Sequence, residues 1–155
     1  MTETVRLREV EQADLELFFL QEQDPEAVRR SRFTPREREA FLTHWTTRVL
    51  PNPTGLVRTV TVDGAVAGSV MTWLQEERRF VGYWLDRRYW GRGVGTEMLG
   101  LLLRLDPHRP LYADPHQGNT ASVRLLERHG FRRVGTDGEQ VVLVLGEAAA
   151  AGPEL

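Results

Sequence analysis

The chain has 155 residues, with 20 basic and 22 acidic side chains and a formal net charge of −2; at roughly 150 residues per domain it reads as one domain able to bury a core. Hydrophobic residues at 41% and charged residues at 27% argue against a disordered chain, no apolar run approaches the ~20 residues that span a bilayer, and no basic-then-apolar leader opens the sequence. The near-neutral charge gives no field favouring nucleic acid, and the absence of cysteine and lysine removes disulfides, thiol nucleophiles, cysteine zinc sites, Schiff-base lysines and the lysine of a P-loop.

In chain order, Val5 and Leu7 alternate with Arg6 and Arg8, so Val5–Val10 reads as a half-buried strand. Leu15 to Leu20 reads as a helix that ends before Asp24-Pro25. Thr34-Pro35 with Glu37 resembles a capped helix start, Thr34 as N-cap and Pro35 at the first helical position. Phe41, Leu42, Trp45 and Val49 continue it at helical spacing until Pro51-Asn52-Pro53. Leu56–Val62 and Ala65–Leu74 around Asp63-Gly64 give the strongest hairpin signal. Phe80–Leu85, after the polar link Gln75–Arg78, is a third strand of that meander. Gly91–Leu105 reads as a helix ended by Asp106-Pro107, Leu111–Ala113 as a short strand, and Asn119–His129 as a helix closed by Gly130. Phe131–Val134 and Gln140–Leu145 are the last strands. The order β-α-α-β-β-β-α-β-α-β-β predicts a mixed α/β fold. Its sheet is mostly antiparallel, with about four helices and one parallel crossover, rather than a doubly wound sheet. One domain is expected over 1–146, followed by a frayed tail over 147–155.

The chemistry concentrates where a strand runs into Gly91-Arg92-Gly93-Val94-Gly95-Thr96 and a helix begins. Glycine is costly at a helix start unless the backbone must approach something closely. The first helical turn offers unpaired N–H groups and the positive end of the dipole, which together make a site for an anion such as a diphosphate. Arg87, Arg88 and Arg92 surround the loop, and position favours Arg92 as a phosphate neighbour. The bland reading is a tight turn with glycines for packing. Asn119 stands where a helix N-cap would, and Ser122 lies one turn on.

Gly91-Arg92-Gly93-Val94-Gly95 after a strand resembles motif A of the GNAT acyltransferase superfamily. Asn119-x-x-Ser122 with Leu125 to Phe131 resembles its motif B, usually ending in Gly-Phe. Arg6-Leu7-Arg8, Asp24 to Val28 and Tyr83-Trp84-Leu85 fit as well. The likeness runs from about Val5 to Leu145 and is greatest to the branch of ribosomal-protein-alanine N-acetyltransferases. It implies a sheet splayed between the fourth and fifth strands. It implies acetyl-coenzyme A as co-substrate, held by Gly91, Arg92, Gly93, Val94, Gly95 and Thr96 at its diphosphate. Its pantetheine arm would pair with the backbone of Trp84 and Leu85 and meet Asn119 and Ser122. The implied activity is N-acyl transfer from acyl-coenzyme A to a primary amine, with Ser122 as acid or sulfur partner.

Two departures stand out. The residue three before the central glycine, usually Gln or Arg, is Trp90 in the preferred register, which puts Gly95 and Thr96 in the first helical turn. The alternative register uses Arg88 ahead of Gly91. The position that often carries a tyrosine to protonate the leaving thiolate is Leu126. An oxyanion-type amide near Trp84 would contribute about 3 kcal/mol. Asp86, Glu76, Glu77 and Asp114 are the candidate bases, with no choice among them.

Asp114 after a short strand would suit a dinucleotide ribose, but the loop lacks the third glycine of that fingerprint and the chain lacks the parallel units. His44, His108, His116 and His129 have no paired metal-ligand spacing. Trp73, Tyr83 and Trp84 read first as core. The acceptor, a small-molecule amine or a protein N-terminus, is left open, as is the acyl group. A homodimer is compatible with the sequence and is not required by it. The rival reading is a non-catalytic module that senses acyl-coenzyme A.

Overall fold

The computed structural model describes residues 3–146; the expected tail lies outside them. One 7-stranded sheet has the order β1-β2-β3-β4-β5-β7-β6, with β1 Val5–Arg8, β2 Leu56–Val62, β3 Ala65–Gln75, β4 Arg78–Leu85, β5 Leu111–Ala113, β6 Arg132–Asp137 and β7 Gln140–Leu145. The helices are α1 Asp14–Glu22, α2 Pro25–Ser31, α3 Arg38–His44, α4 Val94–Leu105 and α5 Thr120–Arg128, with a π-helical turn Trp45–Val49 continuing α3. Neighbouring strands are antiparallel except β4 with β5. This is the mixed, mostly antiparallel α/β domain that the element order predicts.

Asp63 and Gly64 both take positive φ, 50° and 88°, the two-residue turn whose twist matches a hairpin. Glu76 and Glu77 do the same without glycine, at 51° and 70°. The expected polar link is therefore a tight turn, and pairing continues to Gln75↔Arg78. Strand alternation splits the apolar residues between two clusters. Val70, Val81, Tyr83 and Leu85 join the larger one under Val94, Met98 and Leu102 of α4 and Val123 and Leu126 of α5. Val57, Val66 and Met71 pack with Leu15, Phe18, Phe41 and Trp45.

Four expectations need correction. Helix α2 was not read from the sequence: it is short, and only Ala27 of it is buried, so it carries no readable apolar period. It ends at Arg32 in the left-handed region (φ 56°), a place glycine usually fills. Thr34 does not cap a helix. α3 begins at Arg38 with Glu37 as N-cap and no side-chain cap, because the Arg36 carbonyl accepts from Gln23 Nε2 (3.1 Å) and Phe33 is held edge-on against Trp84. α4 begins at Val94 rather than Gly91, since Gly91 and Gly93 have φ of 72° and 82°. β1 stops at Arg8, whose guanidinium turns to Asp14.

Two buried carboxylates tie helices to the sheet. Asp14 accepts from Arg8 (2.7 and 3.0 Å), Thr59 Oγ1 (2.7 Å) and the Glu11 amide (2.8 Å). Asp106, at the end of α4 and 2% exposed, accepts from Thr72 Oγ1 (2.6 Å) and Arg79 Nε (2.8 Å) and pairs with His108 Nδ1 (2.6 Å). Burial alone would raise both carboxyls; the donors facing them hold both below the ordinary carboxylate range.

The site is positioned by one irregularity. β4 and β5 pair only at Arg79↔Leu111 and Phe80↔Tyr112. Beyond Phe80 the two strands are no longer partners, and β5 continues against β7 through Ala113↔Leu143. Among the described residues no helix is long and apolar enough to cross a membrane.

Candidate active site

Where β4 and β5 part, a cavity of about 900 Å³ opens between α2, the end of β4, the start of α4 and α5. Each wall has a local cause. The Asp86 amide donates to the Ala67 carbonyl (2.8 Å), and the Trp84 carbonyl lies against Gly68, where a Cβ would come within 1.9 Å of it. Even-numbered residues of this strand end therefore turn their backbone groups toward β3. By the alternation of an antiparallel ladder the Tyr83 and Leu85 amides face the opposite edge, past the last β5 pair. Trp84 presents its own amide to β3. Its indole N–H donates to the Gln21 carbonyl (3.0 Å) and its ring meets Phe33 edge-on, so Trp84 fastens the strand end to α1 and to the segment after α2.

The second wall is the glycine turn. Gly93 is the N-cap of α4, and the first helical bond runs from Glu97 N–H to the Gly93 carbonyl (3.1 Å). The amides of Val94, Gly95 and Thr96 therefore have no acceptor within the helix, and glycine supplies no side chain to cap them. Cβ atoms at Gly91 or Gly93 would meet nothing within 4 Å; glycine keeps this space empty. Gly95 has a different reason: a Cβ there would stand 3.3 Å from Leu125 Cδ2, so it permits α4 to pack on α5.

Gly91, Gly93, Gly95 and Thr96 line the cavity, as do Trp84, Leu85, Asn119 and Ser122. The side chains of Val94 and Arg92 do not. Val94 is core at 1% exposure. Arg92 pairs with Glu3, donates to the Arg88 carbonyl (2.9 Å) and lies over the Tyr89 ring. Arg87 and Arg88 are likewise engaged, with Asp24 (3.2 Å) and Asp86 (3.5 Å).

Asn119 caps α5, its side-chain oxygen accepting from the Ser122 amide (3.3 Å). The Ser122 hydroxyl is 2.6 Å from the hydroxyl of Tyr83. Sequence reading left Tyr83 in the core. Strand alternation alone put it beside Val81 and Leu85, and only the docking of α5 over β4 shows that its phenol ends on a cavity serine. Burial pushes the phenol up to about 12, against the opposing pull of the Ser122 hydrogen bond, so it stays neutral and able to donate.

Of the candidate bases, Asp114 alone lines the cavity, and burial raises its carboxyl. Glu76 and Glu77 are exposed in the β3–β4 turn. Asp86 caps the turn Arg87–Tyr89 by accepting from the Arg88 amide (3.0 Å). Glu22, at the end of α1, was not a sequence candidate. Burial pushes it up to about 7 against the pull of Arg36, and its Oε1 has no hydrogen-bond partner among the described residues. It does not line the cavity, and its exposed-looking place at a helix end hid it from sequence reading.

Residues 4–132 match the family model described as an acetyltransferase (GNAT) domain. Among solved structures, a domain from Methanocaldococcus jannaschii DSM 2661 superposes with a TM-score of 0.77 at 17% identity, over 92% of this chain and 98% of that one. An aminoglycoside acetyltransferase in complex with coenzyme A and kanamycin gives 0.76 at 20% identity, over 94% and 96%. A ribosomal-protein alpha-N-acetyltransferase gives 0.71 at 18% identity, over 91% and 88%. These neighbours are varied and share the fold; they do not single out the ribosomal-protein branch. A comparison with curated proteins gives no match.

Proposed function

The chain belongs to the GNAT acetyltransferase family, and from that premise we propose that it transfers an acetyl group from acetyl-coenzyme A to a primary amine within a ternary complex. The observation that carries this reading is the convergence on one cavity of the uncapped α4 turn, the unpaired edge of β4 and the Tyr83–Ser122 hydroxyl pair. The open space beside Gly91 and Gly93, next to the uncapped amides of α4, admits a diphosphate. The coenzyme A bound by the aminoglycoside-modifying neighbour supports the same co-substrate.

The co-substrate supplies an activated thioester, which the amine cleaves with release of the free thiol. The amides of Val94, Gly95 and Thr96 hold the diphosphate. The Tyr83 and Leu85 amides offer the strand edge along which the pantetheine arm lies, and one of them stabilises the thioester oxygen. Ser122 donates its proton toward the departing sulfur, and Tyr83, neutral across the working pH range, donates in turn to Ser122. The two hydroxyls thus stand in for the tyrosine that Leu126 replaces. Asp114, the one candidate base lining the cavity, takes through water the proton that the ammonium must lose before the free amine attacks the thioester carbonyl. An N-terminal amine, with a pKa of about 8, requires less help than an alkylamine near 10.4.

The test is thiol release from acetyl-coenzyme A with a panel of amines: an aminoglycoside, free amino acids and peptides with free N-termini. Ser122→Ala and Tyr83→Phe are each expected to lower kcat by roughly 10- to 100-fold, with little change in KM for the co-substrate. The double variant should fall no further than the worse single one, because the pair acts as a unit. Coenzyme A binding without thiol release on any amine would favour the sensing module. No thermal stabilisation by coenzyme A would remove both readings.

A further inference from the structure

The uncapped amides of α4 offer donors to a diphosphate from one side only, and the arginine within the glycine motif is not free to complete the grip. Arg87, Arg88 and Arg92 are each paired with a carboxylate, Asp24, Asp86 and Glu3. The side chain at the cavity wall beside the turn comes from α2. The Arg30 guanidinium lies over the Trp90 ring, 4.2 Å from its centroid, and both residues line the cavity. Trp90 directly precedes Gly91, and its indole N–H donates to the Leu85 carbonyl (3.1 Å). The ring is therefore held between the end of β4 and the glycine turn, and the partly exposed guanidinium stacks on it there.

Arg30 also keeps donors free. Among the described residues its one carboxylate neighbour, Glu26, approaches only the Nε at 3.7 Å, and the same Glu26 oxygen is taken by Arg29. The terminal nitrogens of Arg30 make no hydrogen bond among the described residues. Arg32 and Arg128 line the cavity too, but Arg32 is exposed past the end of α2 and Arg128 sits in the last turn of α5. Neither is stacked on a ring next to the glycine turn.

We infer that Arg30 is the cationic partner of the co-substrate diphosphate, closing α2 over it opposite the α4 amides, so that the group is held by backbone donors on one side and a planar guanidinium fork on the other. This rests on the reading of the cavity as an acyl-coenzyme A site. It assigns a binding role to a helix that carries no recognisable motif.

Binding of coenzyme A, dephospho-coenzyme A and pantetheine to the wild type, Arg30→Ala and Arg30→Lys tests it. Arg30→Ala should weaken coenzyme A and dephospho-coenzyme A alike, by about 10- to 100-fold, and leave pantetheine within about twofold of the wild type. Arg30→Lys should recover only part of the loss, because a point charge replaces a fork. Equal loss with all three ligands would show that Arg30 merely shapes the wall and would overturn the inference, as would no loss with any. Loss confined to coenzyme A would move Arg30 to the 3′-phosphate and overturn the diphosphate assignment. A wild type that binds none of the three would instead overturn the acyl-coenzyme A reading itself.

Discussion

Gly93→Val is expected to abolish detectable coenzyme A binding, a loss of at least about 100-fold, while the protein stays folded. A Cβ at Gly93 meets nothing within 4 Å, so the new side chain finds open space at its first atom. It projects beside the three amides that precede Glu97, where the anion must approach to hydrogen-bond distance. The cost to folding comes from φ of 82°, a region that costs an L-residue roughly 1–2 kcal/mol. For a domain of this size that corresponds to a melting shift of about 5 °C. Gly64→Val is the matched control. Gly64 also has positive φ (88°) and open space around its Cβ position, but it lies in the β2–β3 turn, away from the cavity. It should lower the melting temperature similarly and leave coenzyme A affinity unchanged. Isothermal titration of both variants, with thermal melts, separates blocked access from backbone strain. Equal affinity for Gly93→Val and the wild type would remove the diphosphate from this turn.

Asp106→Asn should strongly destabilise the fold at the end of α4 remote from the cavity, by about 3–5 kcal/mol, or a fall of about 10–15 °C in melting temperature. The carboxylate faces Arg79, Thr72 and His108 at once, and losing its charge strands a mostly buried guanidinium. Arg79 is also the first β4 residue paired with β5, opposite Leu111, so the same network sets where the two strands begin to part. Replacing Asp106 by Leu together with Arg79 by Met should cost less than the sum of the single changes, since no unpaired charge remains. The sign of the pH dependence follows from the depressed carboxyl. The stabilisation is fully present above the unfolded-chain value of about 3.9 and is lost as pH falls through the lower folded value. Denaturant melts of wild type and Asp106→Asn should therefore converge in strong acid and separate fully above about pH 5.

What the sequence made legible is the part governed by local chemistry. Asp63-Gly64 fixes a turn through its own backbone preferences, Asn119 caps the helix it precedes, and Gly91 and Gly93 mark a turn whose positive φ favours glycine. Three features were hidden because they depend on packing between distant segments. Tyr83 reaches Ser122, 39 residues away in sequence, only because α5 packs on the same apolar cluster as the end of β4. Arg30 reaches the Trp90 ring beside the glycine turn only through α2, a helix too short to announce itself by periodicity. Arg92, favoured by its place inside the motif, is drawn off by Glu3, 89 residues earlier. Composition cannot show which arginine of an arginine-rich chain keeps its donors free; that depends on where each carboxylate lands.

The most direct measurement is a crystal structure of the protein with coenzyme A. Expected are diphosphate oxygens within hydrogen-bond distance of main-chain nitrogens over residues 93–96, with the pantetheine arm along the Tyr83–Leu85 edge of β4. A nucleotide lodged elsewhere, with that turn covered by side chains, would contradict it.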